Sequence, residues 1–116
     1  MIVTIEEFII LYLSGKLTVP VSGDVPSPMP ASFVTVEKTG GGDSDHIASA
    51  TIAIQSWAAS RAAAAQLCAE VQAAMGGIIA EHEISRCALN TSYNFTDTSR
   101  KIFRYQAIFD LVHYLK

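Results

Sequence analysis

Residues 48–75 read ASATIAIQSWAASRAAAAQLCAEVQAAM, and the change of period inside this stretch decides the fold. Its first part alternates. Ala50, Ile52 and Ile54 fall on one side of an extended chain, and Thr51, Ala53, Gln55 and Trp57 on the other. Its second part steps by three and four, so that Leu67, Cys68, Val71 and Met75 line one side of a helix over residues 61–75. Ser60 is a natural N-cap, because a serine hydroxyl accepts from the first free N–H groups of a helix, and Gly76-Gly77 stops it. The many alanines of this segment leave no bulky side chain to hold its backbone away from a sheet.

Toward the N-terminus, Phe33–Glu37 is a strand by its β-branched content. It runs into Thr39-Gly40-Gly41-Gly42-Asp43-Ser44-Asp45, which reads as a loop of little intrinsic order. Before it, residues 24–30 carry three prolines in five positions, a stiff extended connection. Leu17–Val21 is β-prone, yet Pro20 has no N–H to give a ladder and belongs at an edge or a strand end. Thr4 and Glu7 have capping-box spacing, and Ile5, Phe8, Ile9, Leu11, Tyr12 and Leu13 then suit a helix over about residues 4–14, stopped by Gly15.

Toward the C-terminus, Ile84–Phe95 reads as a strand interrupted near Asn90, and residues 96–99 as a turn. Ile102–Leu115 has the clearest pattern. Phe103, Tyr105, Ala107, Phe109, Leu111, His113 and Leu115 point one way; Ile102, Arg104, Gln106, Ile108, Asp110, Val112 and Tyr114 point the other. A second face so mixed suits burial on both sides. The order α-β-β-β-α-β-β predicts a single α+β domain over 1–116, an antiparallel or mixed sheet with both helices on one face.

Composition narrows the function. Half the residues are hydrophobic and only 16% are charged, which excludes disorder and points to burial against sister subunits. A net charge of −3 gives no electrostatic footprint for gripping a phosphate backbone. The apolar run Phe8–Leu13 follows two glutamates rather than basic residues, and no stretch is expected to reach the length of a membrane span. Cys68 and Cys87 sit among apolar neighbours and read as two buried thiols, which favours a reducing cytoplasm.

Chemistry is weakly signalled. Gly40-Gly41-Gly42 lacks the Gly-Lys-Ser/Thr and following helix of a phosphate loop. Glu81-His82-Glu83 is the one local cation-binding candidate, but adjacent residues on an extended chain face opposite ways, so a solvated turn is the simpler reading. His113 falls in register with the apolar side, as a core or interface histidine would. Asp43 and Asp45, in a glycine-rich loop, read as solvated rather than as a catalytic carboxylate pair. No serine lies in a nucleophile elbow, and Cys68 lies within a helix rather than at its start. An enzyme is not expected, and neither a cofactor nor a metal.

The ordered features carry a resemblance. A Pro-rich stretch leads into FVTVEKTGGG at residues 33–42; an acidic loop and the strand Ala50–Trp57 follow. Ser60-Arg61 then opens an Ala-rich helix with Ala65, Leu67 and Val71, and the chain closes with the Asp97 turn and Arg104-Tyr105-Gln106-Ala107. This resembles the small tail-terminator, or tail-completion, proteins of lambda-like long-tailed bacteriophages and prophages. The resemblance implies a structural protein of the virion tail, assembled in the host cytoplasm. It implies a closed homo-oligomeric ring of about six copies, joined head to tail. Such a ring caps the tail tube, stops addition of the major tail tube protein and meets the head-tail connector, while DNA passes through the hole. Six copies of a −3 chain would carry about −18, a sign that discourages DNA from sticking. Under this reading, subunit or docking contacts fall on Thr39, Gly40, Gly41, Gly42 and Asp43, and on Trp57, Arg100, Arg104, Ile108 and Tyr114. Two other readings stay open: a head-tail connector or minor capsid protein, and a small-ligand-binding regulatory domain of the ferredoxin-like kind.

Overall fold

Thr4 turns the chain into the first helix: its hydroxyl accepts from the Glu7 N–H at 3.1 Å, and α1 runs over Ile5–Ser14. The computed structural model describes residues 4–44, 47–81, 83–96 and 102–114. The elements that follow are β1 (Val21–Ser22), β2 (Phe33–Ser44), β3 (Ile47–Ala58), α2 (Arg61–Gly76), a 3-10 turn (Ile78–Ala80), β4 (Ile84–Asn94) and β5 (Phe103–His113). Ser60 caps α2 by accepting from Ala63 N at 3.1 Å.

The five strands form one sheet in the order β1-β2-β3-β5-β4. β1 lies parallel to β2, and every other pair is antiparallel, so the sheet is mixed and the class is α+β. The parallel pair follows from the α1-to-β1 connection, which places Val21 beside Val34 before the proline-rich segment returns the chain to the start of β2.

Both helices pack on one face. Ile5, Ile9 and Leu13 of α1 and Leu67, Cys68, Val71 and Met75 of α2 meet Val34, Val36, Ala50, Ile52, Ile54, Ala107, Phe109 and Leu111 of the sheet in one core. Burying a large aliphatic or aromatic side chain completely stabilises by about 1.5–3 kcal/mol, so this continuous seam is the main source of stability. The Tyr12 hydroxyl donates to the Ala74 carbonyl at 2.7 Å and ties the two helices together. His113 lies on the core side of β5, 2% exposed.

Three expectations need correction. The stretch from Thr39 to Ser44 is not a loop: β2 continues through it, paired with Ile47–Thr51 of β3. Glycine disfavours strands because it gives up the most backbone freedom on ordering, but here the partner strand supplies the ladder and overrides that local preference. The β-prone Leu17–Val21 contributes only Val21 to a strand; Pro20 stands just outside it, and its carbonyl accepts from Val34 N at 2.9 Å. Finally, Arg61–Ala80 is a helical run of 20 residues that is long and apolar enough to cross a membrane by length and composition alone. Alanine accounts for much of that apolarity, and Leu67, Val71 and Met75 are spent on the core.

Candidate functional site

The face of the sheet turned away from the helices is built in rows, because antiparallel pairing sets like-facing residues side by side. The row at one end joins β2, β3, β5 and the residue after β4. Phe33 stacks on Trp57 with centroids 5.2 Å apart. The Arg104 guanidinium then lies 4.7 Å from the Trp57 ring and 4.4 Å from the Phe95 ring, and Phe95 meets Tyr93 edge-on at 5.8 Å. A cation between two π faces is held by their quadrupoles, and Arg104 is further fixed because Nε donates to the Phe95 carbonyl at 2.8 Å. The indole N–H of Trp57 donates to Thr35 Oγ1 at 3.2 Å.

The next row is amide-rich. Gln55 Nε2 donates to Gln106 Oε1 at 2.7 Å, and Gln106 Nε2 donates to the Tyr93 hydroxyl. Further along, both carboxylate oxygens of Asp110 are occupied, by Thr51 Oγ1 at 3.1 Å and Asn90 Nδ2 at 2.9 Å. A hollow of about 300 Å³ lies there, between Ser49, Thr51, Arg86, Ala88, Asp110 and Val112. Apart from Arg86 its lining side chains are short or medium-sized, and its one carboxylate is already engaged.

Of the ten residues expected at contacts, eight separate into two ends of the sheet. Trp57 and Arg104 touch each other at the aromatic end, but Trp57 is only 5% exposed, so it supports Arg104 from below. Ile108 lies midway, half-buried, on the rung of Ala53 and Thr91. Thr39, Gly40, Gly41, Gly42 and Asp43 lie at the opposite end, near the β2–β3 hairpin. Tyr114, 54% exposed, follows β5 at that same end. Thr39 is the extra residue of a bulge between Lys38 and Gly40, and its hydroxyl donates to the Thr51 carbonyl at 3.3 Å. Gly41 has φ +149°, and a Cβ there would stand 2.3 Å from the Ser49 carbonyl oxygen, so only glycine fits. Arg100, like His82 and Asp45, lies outside the described residues, and the side chain of Asp43 does too.

Phe33, Tyr93, Phe95, Gln55 and Gln106 were not expected at a site. Alternation placed each strand residue on a face, but which rows line up depends on register, and Phe95 joins its row only because its N–H donates to the Arg104 carbonyl at 2.9 Å. The thiols are quiet. Both cysteines are free; burial pushes Cys87 up to about 11, and burial raises Cys68 while a hydrogen bond from Gln72 pulls the other way.

The two margins of the sheet are open for much of their length. In an antiparallel ladder, successive residues turn their N–H and C=O alternately toward one neighbour and the other. On β2, Val34 N donates outward to Pro20 O and Lys38 N outward to Glu6 Oε2 at 3.1 Å. Beyond the bulge the same alternation turns Gly41 outward. On β4, Phe95 N points inward to β5, so Asn94 and Ser92 face out; past the irregularity at Asn90, Leu89 and Cys87 do. Among the described residues, nothing takes up the outward groups of Gly41, Cys87 or Leu89. Comparison with known proteins finds no family model that matches the chain and no curated protein that matches its sequence.

Proposed function

We propose that this chain is a structural subunit of a bacteriophage or prophage tail, a terminator that closes into a ring on the end of the tail tube, stops its growth and receives the head connector. The observation that carries the reading is the pair of open sheet margins on a chain with the element order of the resemblance described above. Unsatisfied strand edges recruit another strand, and natural monomers blunt them. Neither β2 beyond Lys38 nor β4 contains a proline, and Arg86 is the only charged residue within β4. Apolar side chains add to this: Leu11, Ile79, Leu89, Tyr93, Phe95 and Tyr114 are each 40% exposed or more. Isolated exposed apolar residues are ordinary, but Tyr93 and Phe95 touch edge-on beside the open β4 margin, and that pair favours a molecule that completes its burial in an assembly. The amide and hydroxyl character of the outer face suits a surface that passes nucleic acid without holding it.

A capping assay tests the role. The purified protein is added to a major tail tube protein while tubes polymerise, and lengths are measured by electron microscopy. Tubes that stop short and carry a ring at one end support the reading. Tubes that elongate to the same lengths with and without the protein contradict it.

A further inference from the structure

Resting on the ring reading, we infer that neighbouring copies are joined strand to strand, the Gly41 margin of β2 in one copy pairing with the Cys87–Leu89 margin of β4 in the next. Three observations meet here. First, the outward-facing backbone groups on the two margins lie at the same height. Gly41 pairs with Ala50, Ala50 with Leu111, and Leu111 with Cys87, so one rung runs from margin to margin. A copy set beside the first without offset brings the outward N–H and C=O of Gly41 against those of Cys87, the arrangement a hydrogen-bonded antiparallel pair requires.

Second, the strand directions permit repetition. From β2 through β3 and β5 to β4 every neighbour is antiparallel, so β4 runs opposite to β2. A second copy in the same orientation therefore continues the alternation. Head-to-tail contacts of this kind repeat, and close when the rotation per copy allows. Pairing of β4 with β4 about a two-fold axis would also be antiparallel, but it would leave both β2 margins bare.

Third, the β2 margin is cleared where it is needed. β1 covers only Val34 and Thr35, and Glu6 takes the Lys38 N–H, which ends the covered part. Beyond it come Gly40, Gly41 and Gly42, which put no side chain in the way of an approaching strand. On the other margin Leu89, 46% exposed, lies on the rung that runs through Phe109 and Ile52 to Lys38. In the seam its N–H therefore meets the outward Lys38 carbonyl, which Glu6, holding only the Lys38 N–H, leaves open.

Proline substitution tests the pairing, because Leu89 turns its N–H away from β5 and a proline there removes a donor the subunit itself does not use. Leu89→Pro and Leu89→Ala are compared with the unaltered chain by light scattering, with circular dichroism as the check on folding. The expected result is a folded Leu89→Pro that stays monomeric at concentrations where both the unaltered chain and Leu89→Ala assemble. Assembly of Leu89→Pro like the unaltered chain overturns the inference, as does equal failure of Leu89→Ala. Should Leu89→Pro not fold, amide exchange on the unaltered protein decides. Gly41 and Leu89 amides slowed at least tenfold in the assembly over the dilute monomer support the pairing. Unchanged exchange at both, or slowing at Leu89 but not Gly41, overturns it. A ring that forms despite the proline removes only the strand pairing, whereas an unaltered chain that never assembles removes the ring reading with it.

Discussion

Gly41 shows how a single backbone position shapes the molecule. At φ +149° with the Ser49 carbonyl 2.3 Å from where a Cβ would sit, alanine must push two paired strands apart. Strained positions of this kind cost about 1–3 kcal/mol, so Gly41→Ala should lower the free energy of unfolding by that amount in a urea titration. Gly42→Ala, where an added Cβ meets nothing within 4 Å, should change it by less than about 0.5 kcal/mol. Equal effects at the two positions would mean that the hairpin does not hold this conformation in solution. The sequence shows three glycines in a row without showing which of them is required. That difference arises from the close approach of β3, a tertiary fact. Trp57 teaches the same lesson: alternation puts it on the outer face, but only the Phe33 stack and the overlying Arg104 explain why so large a ring is hidden there.

At the scale of elements, the parts with strong local signals are where the sequence places them. The cap-and-stop logic of Thr4 and Gly15 bounds α1, and that of Ser60 and Gly77 bounds α2. Period-two alternation locates β3 and β5, and the break expected near Asn90 is the register shift between Leu89 and Thr91. The misses have a common cause. β2 beyond Lys38 is held by its neighbour rather than by its own residues, and β1 exists only because Val34 and Thr35 offer it a partner. The 3-10 turn at Ile78–Ala80 follows from a tight exit after Gly77 that no periodicity announces. Because α2 is bounded by its own cap, Ser60→Ala should cost about 0.5–2 kcal/mol, with the loss confined to stability. Thermal denaturation followed by circular dichroism measures it, and an unchanged midpoint would show that packing alone sets where α2 begins.

For the whole molecule, the picture is of one helix layer on one sheet, with the second sheet face and both margins left to water or to neighbours. The fold class and element order were legible in composition and periodicity. The candidate contact surface was legible only as two unconnected groups of residues, since its rows and outward-facing amides depend on register, which sequence alone does not give. The proposed ring rests on the physical claim that this subunit is incomplete alone, so that open strand edges and exposed apolar side chains would find partners when identical copies meet. The mass in solution tests that most directly. Light scattering across a concentration series, with and without the tail tube protein, should show a species of about six times the 12.5 kDa of the chain. A mass that stays at 12.5 kDa up to about 1 mM, alone and with the tube protein, or a dimer at every concentration, would contradict the account.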